Sequence, residues 1–292
     1  MGMKGPLVTE IAVNTYAINE YGLVTMYLLA GSSRALLIDT GCGFCDLNAV
    51  VRKMTDLPYS VVLTHGHLDH AGGMVQFPEI FLNRRDLLMA ESITSSELSD
   101  YANTLGEMGS FDAYDFSADA LHRRERKPVF HFIEEGWRID LGGRVIEAYA
   151  VPGHTPGSMA FLDRKNRILF SGDCCNTNLL ADHASVTTIY RSIMKVVGLM
   201  PAFDRNFNGH TGYAGSPDCL SQPYDVPKDL LWICQAILRH EVQPTKTTFL
   251  KNMVLYQVRH GTATLSYNPD RLTDPGEKPV DPEKLGPEIR CR

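Results

Sequence analysis

No stretch of this 292-residue sequence approaches the roughly 18 consecutive apolar residues that a membrane-spanning helix requires. The opening Met1-Gly2-Met3-Lys4-Gly5-Pro6 also lacks the apolar core of a secretory signal. These two absences lead us to expect a cytoplasmic protein with no membrane partner. Positive charge is not in excess either: 28 Lys and Arg stand against 34 Asp and Glu, a net charge of −6. Nucleic-acid affinity is supplied largely by basic surface, so no nucleic-acid partner is expected. The 7 cysteines are odd in number, two of them are adjacent, and their spacing is not that of a small disulfide scaffold. Reduced thiols fit that pattern. No internal repeat of fixed period is visible. What is present is ordinary globular material: 44% hydrophobic and 21% charged residues are enough to bury a core and unlike disordered, collagen-like or coiled-coil chains. At ~150 residues per domain the length suggests two units, although sandwich and α/β architectures often carry it as one.

Runs rich in β-branched and aromatic residues predict strands over residues 10–18, 23–30 and 34–38, with Gly31-Ser32-Ser33 as a turn. Leu47, Val50, Val51 and Met54 fall at helical spacing and predict a helix over 45–55, followed by a short apolar strand over 59–64. The order is β-β-β-α-β. Residues 83–127 change to helix formers and charge and read as a helical insertion. Strands are predicted again over 129–133, 138–139, 145–151, 159–163 and 167–170, then a helix over 186–197, a strand over 205–208 and a helix over 227–241. Residues 254–258 and 262–267 flank Arg259-His260-Gly261 and predict a terminal hairpin. From Asn268 on there are five prolines and no apolar run, which reads as a tail laid on the surface or disordered.

The chemistry concentrates at strand ends. Directly after the strand over 59–64 comes Thr64-His65-Gly66-His67-Leu68-Asp69-His70-Ala71-Gly72-Gly73. Four potential ligands within six residues, followed by glycines, do not read as a buried helix face. They converge on a loop. A lone histidine there would be structural or superficial; three histidines and an aspartate at this density reverse that reading. Three more candidates also follow strands: His154 in Pro152-Gly153-His154-Thr155-Pro156-Gly157, Asp173 in Ser171-Gly172-Asp173, and His210 in Gly209-His210. Strand ends are where α/β sheets place their sites.

This ordered set resembles the metallo-β-lactamase-fold hydrolase superfamily, with a likeness running from about Val8 to Tyr213. The resemblance implies an α/β fold, a four-layer αβ/βα sandwich, with a two-metal site on one edge. It implies one domain over 1–267, including the helical insertion at about 83–127 and a C-terminal helix-hairpin extension at about 227–267, and then a Pro-rich tail over 268–292. Carried over by motif, His65, His67 and His154 would hold one metal and Asp69, His70 and His210 the second, with Asp173 between them. Asp39 resembles an acid that the family often uses to orient the site. Neutral imidazole with carboxylate suits Zn²⁺, two per chain, with Fe or Mn as alternatives. Two cations roughly 3.5 to 4 Å apart can share a hydroxide that is available near neutrality. The expected activity is therefore that of a dinuclear metal-dependent hydrolase whose bridging hydroxide attacks a small-molecule ester, lactone, thioester or amide. Asp69 and Asp173 would orient the hydroxide or relay a proton as the catalytic carboxylates.

Other readings remain beside this one. A phosphodiesterase or nuclease on the same scaffold has the basic cluster His122-Arg123-Arg124-Glu125-Arg126-Lys127 as its only support, and that cluster also reads as a solvated helix end. A mono-iron persulfide dioxygenase-like oxidoreductase would use the same motif with some ligands idle. A degenerate scaffold or sensor is disfavoured because every ligand position is filled. His67 in place of Glu departs from the flavodiiron branch, and Ser158 stands where glyoxalase-II-like sequences commonly show histidine. Cys42-Gly43-Phe44-Cys45 has redox-motif spacing but no second pair. Cys174 and Cys175 read as small buried residues beside the site. Tyr190 and Tyr213 stand either near the metals or in the core and rim. Phe111, Tyr114, Phe116, Leu179 and Leu180 would form an apolar wall if the insertion covers the metals. The C-terminal extension would complete the outer layer, extend the cleft or make a homodimer contact.

Overall fold

Alternation along the first strands decides which side each residue serves. The computed structural model describes residues 5–107, 121, 127–181, 183–210, 220–249 and 253–285. Its first sheet has seven strands in sequence order: β1 (Leu7–Ala12), β2 (Thr15–Glu20), β3 (Val24–Ala30), β4 (Ala35–Ile38), β5 (Tyr59–Val62), β6 (Glu79–Leu82) and β7 (Val129–Phe132). Ala17, Tyr27, Leu29, Leu36 and Ile38 face one way and Ile18, Met26, Leu28 and Leu37 the other, all of them buried. Period-two burial on both faces marks an interior sheet covered on two sides.

The second sheet is ordered β13-β11-β10-β9-β8, built from β8 (Arg138–Asp140), β9 (Val145–Ala150), β10 (Met159–Asp163), β11 (Ile168–Gly172) and β13 (Arg205–Asn208). Its Ile146, Ala148, Phe161, Phe170 and Phe207 meet the inward side of the first sheet in one hydrophobic cluster. On the outer side of the first sheet lie α1 (Leu47–Met54), the short α2 (Leu68–Ala71), α3 (Leu87–Glu91) and α4 (Ser95–Glu107). Outside the second sheet lie α5 (Val186–Leu199) and α6 (Val226–Leu238). The layers run helix, sheet, sheet, helix, the α/β sandwich that the sequence predicts.

One buried ion pair ties the two sheets together. Arg144, in the turn between β8 and β9, donates from Nε and Nη2 to Asp163 Oδ2 at 3.0 and 2.6 Å. The same guanidinium donates across to the Asn14 and Ala30 carbonyls at 3.0 and 2.9 Å and to Thr15 Oγ1 at 2.7 Å.

Several boundaries differ from the sequence reading. The strand expected over 10–18 is two antiparallel strands, because Asn14 adopts φ of 52° and turns the chain between them. The order is therefore β-β-β-β-α-β. Strands β6, β12 (Asn178–Ala181) and β14 (Thr245–Phe249) are additions to the sequence reading. β12 and β14 belong to a third sheet, ordered β12-β16-β15-β14, whose β15 (Met253–His260) and β16 (Ala263–Tyr267) form the expected hairpin. In the predicted insertion, α3 and α4 lie between the parallel neighbours β6 and β7, while 108–120 and 122–126 fall outside the described residues. Within the Pro-rich segment, Glu277 accepts from Ser185 Oγ at 2.5 Å, Thr188 Oγ1 at 2.8 Å and Arg191 Nη1 at 2.6 Å, laying that segment against the start of α5. Among the described residues, no helix is long and apolar enough to cross a membrane.

Candidate metal centre

The loop after β5 is held from below. Asp39, at the end of β4 with φ of 64°, accepts from the Thr64 backbone N–H at 2.6 Å and from Thr64 Oγ1 at 2.8 Å. It also accepts from His70 Nδ1 at 2.9 Å, so this histidine presents Nε2 to the interior. The single Thr64 hydroxyl proton goes to Asp39, so Thr64 Oγ1 accepts from His65 Nδ1 at 3.0 Å, and His65 also presents Nε2. His154 donates from Nδ1 to the Leu180 carbonyl at 2.7 Å with the same result. Partners on the far ring nitrogen are what fix a ligating imidazole's tautomer and direction.

The seven side chains singled out from the sequence converge. Donor atoms of His65, His67 and His154 lie within 4.8 Å of one another, as do those of His65, His70 and Asp173 and those of Asp69, His70 and His210. His67 Nδ1 is 2.8 Å from His154 Nε2. Asp173 touches both halves: its Oδ2 is 2.8 Å from His210 Nε2 and 3.6 Å from His154 Nε2, and its Oδ1 is 3.6 Å from His70 Nε2. Asp69 Oδ2 lies 3.5 Å from His210 Nε2 and 3.9 Å from His70 Nε2. The end of β13 can come this close only because residue 209 is glycine. A Cβ there would sit 2.2 Å from His70 Cε1 and 2.9 Å from Asp173 Oδ1.

The donor set fits divalent cations. His65 Nε2, His70 Nε2 and Asp173 Oδ1 are buried without a hydrogen-bond partner, although such atoms normally find one. Burial, reinforced by His70, His154 and His67, holds the His65 pKa well below the usual imidazole value. Burial and then His154 push His67 down to about 3. Neutral imidazoles are the ligating form. Burial opposes ionisation of Asp173, yet His210 and His70 outweigh it and hold its carboxyl well below the usual range. Burial likewise works to lower His70, but Asp173, Asp69 and Asp39 outweigh it and raise its pKa well above 6.5. The carboxylates thus demand positive charge at this point.

Of the remaining sequence candidates, Cys174 and Cys175 are buried in the hydrophobic cluster beneath α5 and α6. Tyr190 is in that cluster too, packed among the residues of α5 and α6. Leu179 is core, whereas half-buried Leu180 contributes its carbonyl to His154. Cys42 and Cys45 are buried in a loop whose backbone N–H groups donate to Glu20 at 2.6 and 2.9 Å. The His183 ring lies 5.7 Å from the His67 ring. Phe111, Tyr114, Phe116, Tyr213 and the cluster from His122 to Arg126 are outside the described residues.

Two contributors escaped the sequence reading. Tyr101 on α4 donates its hydroxyl to Asp69 Oδ2 at 2.7 Å. Asp86, 1% exposed, accepts from Gly66 N at 3.0 Å, Thr155 Oγ1 at 2.6 Å and Gly157 N at 2.7 Å, and so ties the loop of His65 and His67 to the loop of His154. Neither has a local motif; only their distance partners reveal them. Replacing Asp86 with alanine orphans these donors and is expected to cost about 3 kcal/mol of stability. It should also weaken metal retention ~10-fold or more, as loss of a residue that orients ligands does. Urea melts and dialysis against graded chelator would check both numbers.

The family model described as the metallo-beta-lactamase superfamily matches residues 20–180. The chain belongs to that superfamily. It is similar to an acyl-coenzyme A thioesterase of Gallus gallus, 30% identical over 193 residues, which cover 62% of this chain and 68% of that protein. It is also similar to a hydroxyacylglutathione hydrolase of Haemophilus influenzae, 28% identical over 148 residues, with 48% of this chain and 60% of that protein covered. Among solved structures, a metallo-beta-lactamase from Pontibacter korlensis shares the fold with a TM-score of 0.54 at 17% identity, over 79% of this chain and 99% of that one. The predicted hydrolase class and divalent-metal binding stand with this membership, and the His and Asp groups that could take metal are in place.

Proposed function

We propose that this metallo-hydrolase is a two-metal enzyme that cleaves small acyl thioesters. The single observation that carries the two-metal reading is the position of Asp173, whose oxygens lie 2.8 to 3.6 Å from histidines of both ligand groups. His65, His67 and His154 would hold one ion, Asp69, His70 and His210 the other, and Asp173 both. The nitrogen and oxygen donors suit zinc, with iron or manganese as the alternatives. Bound there, the ions would supply Lewis acidity and a strongly acidified water.

The chain's own groups do the rest. Asp69 and Asp173 are 7% exposed carboxylates set beside the ligating histidines, where they can orient an attacking water and relay its proton. Burial of the histidines keeps bulk water from competing for these charges. The thioester class draws its support from the relatives named for acyl-coenzyme A and hydroxyacylglutathione substrates.

The test is thiol release from acyl thioesters by purified protein, together with elemental analysis. We expect two zinc ions per chain, turnover abolished by chelator, and recovery on adding zinc back. Activity that survives complete metal removal would defeat the proposal. Faster cleavage of bis-p-nitrophenyl phosphate would point to phosphodiester chemistry, and one iron with oxygen consumption to an oxidoreductase.

A further inference from the structure

We infer that Tyr101 is a positioning residue of the centre and that α4 is thereby part of the metal site. The inference rests on the reading of Asp69 as a ligand. Asp69 lies in the first turn of α2, too short a helix to fix a carboxylate by itself. Its Oδ2 points toward His210 and His70, and the Tyr101 hydroxyl donates to that same oxygen at 2.7 Å. A carboxylate oxygen has two lone-pair directions. A phenol on one of them fixes the rotation of the group and leaves the other facing the histidines. Being neutral, the phenol does so without cancelling the carboxylate's charge.

For this to work the phenol must itself be immobile, and α4 is anchored at several points. Thr94 and Glu97 form a reciprocal cap at its start: the Thr94 backbone N–H donates to Glu97 Oε2 at 2.9 Å, and the Glu97 backbone N–H donates to Thr94 Oγ1 at 3.2 Å. Leu98, Ala102 and Leu105 bury the face that packs on the outer side of the first sheet. Leu98 occupies the space above Gly72, where a Cβ would meet Leu98 Cδ2 at 2.7 Å. The first glycine of the histidine motif's tail thus lets α4 approach, and Tyr101, one turn on from Leu98, is delivered to Asp69. That hydrogen bond goes to the group of Asp69, His70 and His210. Loss of the phenol should therefore loosen one metal position and spare the other.

The experiment dialyses metal-loaded full-length protein against graded chelator and counts metal per chain. In Tyr101→Phe we expect the second ion to leave at ~10- to 100-fold lower free chelator than in the parent, the size seen when a residue that orients a ligand is lost. The first ion should leave where it does in the parent. Melting temperature in excess chelator separates positioning from simple packing, because phenylalanine keeps the ring and should melt with the parent there. Two unshifted release steps in Tyr101→Phe, or two steps shifted equally with a lowered metal-free melting temperature, would overturn the inference. Asp69→Asn, run alongside, isolates the premise: if it retains both ions as tightly as the parent, Asp69 is no ligand and the inference fails, whereas a parent that never holds more than one ion would defeat the two-metal reading instead.

Discussion

Replacing Asp173 with asparagine is expected to lower kcat/KM about a thousandfold and to leave fewer than two metal ions on each chain. The side chain is nearly isosteric, so packing is retained while charge is lost. That charge faces His210 at 2.8 Å and both His154 and His70 at 3.6 Å, closer to both ligand groups than any other carboxylate described. Shared coordination and transition-state stabilisation are together worth several kcal/mol, and about 4 kcal/mol corresponds to a thousandfold. Elemental analysis and initial rates on a thioester are the two measurements. A variant that keeps both ions and more than a tenth of the activity would show that Asp173 is not shared.

The largest loss of stability is expected from Arg144→Met. The Arg144 and Asp163 side chains are 3% and 0% exposed, and the guanidinium also satisfies two carbonyls and a hydroxyl of the first sheet. Removing one member of such a pair leaves a charge buried without its partner, at a cost of about 3 to 5 kcal/mol. For a domain of this size that is about 10 °C in melting temperature. Asp163→Leu added to Arg144→Met should recover part of the loss, because the orphaned carboxylate goes as well. Chemical denaturation of the parent, the single and the double variants forms the cycle; a single variant within 1 kcal/mol of the parent would contradict the assignment.

The convergence of the candidate ligands was legible because they are dense in sequence and because folding follows a rule. His65, His67, Asp69 and His70 share one loop, and His154, Asp173 and His210 each come just after a strand, where parallel and mixed sheets leave their sites. Runs of β-branched and aromatic residues made most of the strands legible too. Asn14 shows what a propensity pattern hides: one residue in the left-handed region splits a run of strand formers into a hairpin. Asp86, Tyr101 and Arg144 were illegible for a different reason. Each acts through partners 19 to 130 positions away, with no spacing between them that chemistry requires. The C-x-x-C spacing of Cys42 and Cys45 was the converse, a local pattern that the fold uses to present backbone N–H groups to Glu20.

His65, His67, Asp69 and His70 hang from the rim of the first sheet, while His154, Asp173 and His210 hang from the rim of the second. Neither half can assemble a cage by itself. On the proposed reading, an ion seated among them would be a clasp fastened only after both halves have met, and the free energy of holding it would also be free energy of keeping them joined. Metal loading would then raise the melting temperature along with the activity, so reactivity and cohesion would rise and fall together.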